Sequence, residues 1–187
     1  KPRGKKLRKF IVLVLICFSF LFNYSFGVEV SIIGDSLTVG SKDFLKMHIP
    51  DAVIDGKVGR KFQEALPRIK YLEAKGLLGK IVVIELGTNG PFTVEEGLKV
   101  IDYLQSKNRK VIFVNVKVPK HWEPVVNQTY EKLKELRPSI EVIDWYNLST
   151  VLCPSENKCF RPDGYHLTNQ GSAIYSLMIA KYIKNLK

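Results

Sequence analysis

The 187-residue chain is poor in the residues that usually announce metals and cofactors. It has three cysteines and three histidines, and no cluster of these with acidic residues offers a metal set. No glycine-rich phosphate-cradling motif is present, so neither a cofactor nor a metal is expected. No unit of about 20–50 residues recurs and no stretch is of low complexity, which excludes a repeat array. The basic residues are scattered rather than clustered with aromatics in a known module, which argues against a nucleic-acid partner. Only one uncharged apolar run is long, and it lies near the start.

That run extends from Phe10 to Phe22. It follows six cations (Lys1, Arg3, Lys5, Lys6, Arg8 and Lys9) and precedes the small residues of Ser25-Phe26-Gly27. Cationic leader, apolar core and small residues, in that order, make a secretory signal peptide. The core is short against the roughly 20 apolar residues of a membrane span, although its weakly polar extension leaves an uncleaved anchor open. Residues 1–27 are therefore expected to be a signal peptide or membrane anchor, and residues 28–187 one extracytoplasmic domain, secreted or held at the outer face of the cytoplasmic membrane. Taking the six leader cations from the formal +11 leaves +5 on that domain, a charge that suits an anionic cell envelope. A content of 45% hydrophobic and 25% charged residues fits a single globular unit.

Cys17 lies in the leader, leaving Cys153 and Cys159 in the domain. In an exported protein this spacing favours a disulfide closing a small loop. Free thiols remain an alternative, and zinc is disfavoured for want of further ligands.

Beyond the leader, apolar runs at residues 28–33, 81–86, 111–118 and 140–143, with a brief one at 52–54, alternate with segments of helical spacing. Continuous rather than alternating apolar runs suit strands buried on both faces. Thr93 and Glu96 form a capping box ahead of Val94, Leu98, Ile101 and Leu104. Ile174, Leu177, Met178 and Tyr182 mark a second helical face after Thr168. The pattern predicts an α/β fold, a three-layer α/β/α sandwich around a parallel sheet of about five strands. In such a fold, working groups gather at the carboxyl ends of strands.

Gly34-Asp35-Ser36-Leu37 follows the first run and puts a serine at a strand end. A serine hydroxyl needs a base to become a nucleophile. Of His48, His121 and His166, only His166 has a carboxylate close behind it, in Asp163-Gly164-Tyr165-His166. Asp163 could accept from Nδ1 and leave Nε2 to take the Ser36 proton. Gly87-Thr88-Asn89-Gly90 follows the third run, and Val58-Gly59-Arg60 the second. The Asn89 amide and the backbone N–H groups of Ser36 and Gly59 could line an oxyanion hole. Taken singly, each piece is also a plain turn or cap. Ser, Gly, Asn and Asp/His following one another at successive strand ends is the stronger signal.

On these residues the chain resembles the SGNH/GDSL hydrolases, whose four blocks carry Ser, Gly, Asn and His. Ser36, Gly59, Asn89 and His166 match in order, and Asp163 occupies the usual place before the histidine. The resemblance spans essentially residues 28–187 and implies a flavodoxin-like sheet. It is nearer to the extracytoplasmic module of peptidoglycan O-acetyltransferases. The shared phrases are residues 55–60 (DGKVGR), 85–92 (ELGTNGPF), 115–119 (NVKVP) with Trp122-Glu123, 144–147 (DWYN) and 163–168 (DGYHLT).

The resemblance implies an acetyl group taken onto Ser36 and passed to a muramoyl hydroxyl. The partners would be an acyl donor, a carbohydrate acceptor and, for delivery, a membrane acyltransferase-3 domain. That domain would be a separate protein if the chain is complete, or a missing upstream part. Export argues against coenzyme A as the direct donor. Trp122 and Tyr146 could stack on a sugar or serve as packing, and Arg60 could steer an anionic acceptor or form a surface ion pair. A secreted carbohydrate or lipid esterase would use the same residues. An envelope-binding domain on a retained hydrolase fold is the non-enzymatic alternative.

Overall fold

The computed structural model describes residues 27–186; the expected leader lies outside them apart from Gly27. Among the described residues no helix is long and apolar enough to cross a membrane. Five strands form one sheet: β1 (Val30–Gly34), β2 (Val53–Gly56), β3 (Ile81–Glu85), β4 (Lys110–Val114) and β5 (Glu141–Ile143). Every neighbouring pair is parallel and the order is β2-β1-β3-β4-β5. The helices are α1 (Ser36–His48), α2 (Ala65–Ala74), α3 (Val94–Gln105), α4 (Glu123–Leu136), α5 (Trp145–Leu152), α6 (Glu156–Cys159) and α7 (Asn169–Asn185).

The strands explain their own composition. Ile33, Val82, Ile84, Val111 and Phe113 face a core built with α2, α3 and α4. The alternate residues Ile32, Ile81, Val83, Ile112 and Val114 face a second core with α1, α5 and α7. Side chains alternate across a strand, so helices on both faces favour apolar residues in succession rather than in alternation. This is the expected three-layer sandwich.

Chain direction across the sheet reverses beside β1. The connection from β1 leads outward to β2, and the next one returns past β1 to β3. Ligand sites of open α/β sheets gather at the strand carboxyl ends beside such a switch point, which here lies at the β1 and β3 loops.

Two local expectations change. The run at residues 111–118 is strand only to Val114. Beyond it, Asn127 on α4 holds both backbone groups of Val116 (3.0 and 2.9 Å), and the Glu123 carboxylate accepts from the Val118 N–H. Side chains of α4 thus replace the sheet ladder. On α7 the buried face is Tyr175, Met178, Ile179 and Ile183, while Leu177 is 47% exposed. The face is rotated because α7 lies against α1 through Ser41, Ser172 and Ser176, all buried; hydropathy does not register these small polar residues.

The capping box at α3 forms as the spacing predicts. Thr93 Oγ1 accepts from Glu96 N (3.2 Å), and Glu96 Oε2 accepts from Thr93 N (2.8 Å). Thr93→Ala is expected to destabilise the domain by about 1 kcal/mol, read as a small fall in Tm. An unchanged melt would show that the box contributes nothing.

Candidate active site

The site grows from the β1–α1 turn. Asp35 is the N-cap of α1, its Oδ1 accepting from Leu37 N (2.9 Å), and Ser36 opens the helix. Gly34 is required by close approach. A Cβ there would lie 2.0 Å from Thr38 Oγ1 and 2.7 Å from Glu85 Oε2, so α1 and β3 can close on the turn only if that position is bare.

Ser36 Oγ lies 3.0 Å from His166 Nε2, and His166 Nδ1 lies 2.8 Å from Asp163 Oδ2. Asp163 Oδ1 accepts from the N–H groups of Tyr165 (3.1 Å) and His166 (2.9 Å). Desolvation would raise the Asp163 pKa, but His166 and those two N–H groups outweigh it and hold the carboxyl below its usual range. The Tyr165 ring lies against the imidazole, 4.3 Å between centroids. His48 closes α1 at the end away from Ser36, and His121 packs on Trp122 before α4.

The loop bearing Asp163 and His166 is pinned at its base. Phe160 bridges to Leu167, Arg161 N donates to His166 O (2.7 Å), and Thr168 N donates to Cys159 O (2.9 Å). Cys159 is also joined to Cys153 by a disulfide, which ties this base to the end of α5. A surface cavity of about 490 Å³, lined by Glu156, Asn157, Phe160, Arg161, Pro162 and Gly164, opens beside the same loop.

The remaining candidates divide. Gly59 lies in an exposed turn with φ of 74°, a conformation glycine adopts without strain. Asn89 follows β3, and its amide donates to Asp35 Oδ2 and to Arg60 O, both at 3.2 Å. Both amide hydrogens therefore already have protein partners. Arg60 is not the surface cation expected. It is 4% exposed, and its guanidinium donates to Gly34 O (3.0 Å), Asp55 O (2.6 Å) and Asp55 Oδ1 (2.6 Å). Burial makes an unpaired guanidinium costly, so Asp55 and the end of β1 take up its donors. It braces the Ser36 turn and presents no free charge to an acceptor. Trp122 is half-buried against the core and donates from Nε1 to Thr88 O (3.3 Å), anchoring the Asn89 loop. Tyr146, 41% exposed, begins α5 and donates its backbone N–H to Asn115 Oδ1 (2.9 Å).

Sequence reasoning passed over a polar group behind the nucleophile. Glu85 and Asp35 are 1% and 0% exposed, and Thr38 and Thr88 are buried with them. Burial raises the Asp35 pKa against opposing hydrogen bonds, from the Leu37 N–H first. Burial, and then the charge of Asp35, raise Glu85 well above the carboxylate range. The available signal was Glu85 itself, the one acid in an otherwise apolar strand.

No protein-family model matches the chain. Peptidoglycan O-acetyltransferase OatA of Listeria monocytogenes is 34% identical over 147 residues, which are 79% of this chain and 22% of the relative. The chain thus spans under a quarter of that protein's length. Among solved structures, the C-terminal catalytic domain of Streptococcus pneumoniae peptidoglycan O-acetyltransferase A superposes with a TM-score of 0.71 at 22% identity, covering 84% of this chain and 93% of that one. A lipase/acylhydrolase from Enterococcus faecalis gives 0.67 at 20% identity, covering 84% and 96%. The two superpositions show a shared fold, and the 34% identity over 79% of the chain makes it a member of the peptidoglycan O-acetyltransferase family, matching a segment of those proteins.

Proposed function

We propose that the chain transfers acetyl groups to a cell-wall polysaccharide, as in peptidoglycan O-acetylation, through an acetyl-Ser36 intermediate. The supporting observation is the Ser36–His166–Asp163 relay, at 3.0 and 2.8 Å, beside the β1–α1 turn. His166 Nε2 takes the Ser36 proton as Oγ bonds to the acetyl carbonyl carbon, and Asp163 steadies the imidazolium. The tetrahedral intermediate collapses, the donor's alkoxide leaves with the proton from His166, and acetyl-Ser36 remains. An acceptor hydroxyl then repeats the sequence, giving its proton to His166 and displacing Ser36. Backbone N–H groups of Ser36 and Gly59 with the Asn89 amide are the proposed oxyanion donors. Asn89 serves in this way by exchanging one of its present contacts for the oxyanion.

Residues 28–187 would be the catalytic domain and residues 1–27 a signal peptide or anchor placing it outside the cytoplasmic membrane. A membrane acyltransferase-3 domain would supply the acetyl group. The cavity beside Asp163 has room for an acceptor sugar. Esterase action is the second reading. It is favoured by the 31% and 40% side-chain exposure of His166 and Asp163, which admits water to resolve the same intermediate.

The full chain, in mild detergent with an activated acetyl ester, is expected to form acetylated sugar when chitooligosaccharide or peptidoglycan fragments are added, detected by mass spectrometry. Acetate alone with every acceptor would establish the esterase instead.

A further inference from the structure

Among the described residues, the buried Asp, Glu, Lys, Arg and His residues are Asp35, Arg60 and Glu85, with the Asp55 side chain, 8% exposed, beside Arg60. Arg60 is committed to Asp55 and Gly34 O, which leaves two acids behind the nucleophile with no cation between them. The parallel register sets Glu85 opposite Gly34. Glu85 Oε2 accepts from Thr38 Oγ1 (2.9 Å) and Asp35 N (3.3 Å). Two adjacent carboxylates in a dry site cannot both ionise, so they share a proton. Asp35 keeps the charge, because Leu37 N and the Asn89 amide donate to it and His166 bears on it across the site. The proton therefore resides on Glu85.

We infer that Glu85 is a positioning residue for the reaction at Ser36, a neutral acid that donates to Asp35 and so holds the Ser36 turn and the Asn89 amide in register. The inference rests on Ser36 being the nucleophile. Asp35 is the junction: it caps α1, precedes Ser36 and accepts from Asn89. Ionising Glu85 would set a second negative charge against it and force the pair apart. No other group facing Glu85 can absorb that charge. Thr38 from α1 is neutral, and Thr88 is a buried hydroxyl. Tyr130 from α4 donates to Leu86 O (2.6 Å). Burial keeps Tyr130 and Tyr175 of α7 protonated well beyond the usual phenol range.

Two consequences follow. Turnover falls as pH rises through the raised ionisation of Glu85. The fold also loses stability as pH rises from the unfolded to the folded ionisation range of Glu85, because a raised acid favours the folded state only while protonated.

The test uses the full chain and the variants Glu85→Gln and Glu85→Ala. A glutamine amide can donate to Asp35 while its oxygen accepts from Thr38. Glu85→Gln is therefore expected to keep plateau turnover within about threefold and to lose the fall in kcat and Tm that rising pH brings through the Glu85 ionisation. Glu85→Ala is expected to lower kcat about 10- to 100-fold with KM little changed. Infrared difference spectra of wild type against Glu85→Gln at neutral pH should show a protonated carboxylic acid, a readout independent of turnover. If that band is absent, or if Glu85→Gln keeps the fall with rising pH while Ser36→Ala abolishes turnover, the role of Glu85 is overturned alone. A band present without Ser36-dependent turnover overturns instead the acyl-transfer reading.

Discussion

Ser36→Ala is expected to lower turnover of an activated acetyl ester by at least about 10⁴-fold, with His166→Ala close behind. The two groups act as one unit across a 3.0 Å contact. The double variant should therefore be no worse than either single one, since effects within such a unit do not add. Asp163→Asn is expected to cost about 10⁴ in kcat by a different route. An asparagine amide facing Nδ1 moves the imidazole proton to Nε2, which can then no longer accept from Ser36. The melt of Ser36→Ala should stay near wild type, because Ser36 is half-buried and Asp35, not Ser36, caps the helix. Stopped assays with each variant, beside circular-dichroism melts, decide the matter. Full turnover in a folded Ser36→Ala or His166→Ala protein would remove the mechanism.

The second large effect is expected outside the relay itself. Gly171→Ala, in the first turn of α7, would set a Cβ 2.0 Å from Cys159 O, 2.8 Å from Cys159 C and 3.0 Å from Cys159 Cα. These are backbone atoms, so no rotamer change relieves the clash. The same carbonyl accepts from Thr168 N at the base of the Asp163–His166 loop, and α7 is seated there by Thr168 Oγ1 accepting from Gly171 N (3.1 Å). Overpacking of this kind costs about 1–3 kcal/mol. A displacement of the loop by about 1 Å would lower kcat roughly 100-fold. Gly171→Ala should therefore lower Tm and slow fluorophosphonate labelling of Ser36 together. Normal labelling in a destabilised protein would show that the loop does not depend on this contact.

The parts of this protein legible in its sequence are those whose partners lie nearby along the chain or repeat with its period. Both faces of the sheet are covered, so the inner strands β1, β3 and β4 are apolar on both faces apart from Ser31, Glu85 and Lys110, and they stand out as runs. The Thr93–Glu96 box and the Asp163–His166 pair each close over three residues, within reach of local geometry. Tertiary structure decided the rest. Ser36 and His166, separated by 130 positions, meet because the end of β1 and the loop entering α7 converge at the carboxyl ends of the strands. Arg60 is buried because Asp55 and Gly34 O surround it, whereas its sequence neighbourhood suggests a surface turn. The Asn89 amide points to Asp35 and Arg60 O because the β1/β3 pairing brings two distant turns together. Glu85 carries a proton for the same reason: the residue type specifies an acid, but only the strand across from it supplies the second carboxyl and the dryness that decide its charge.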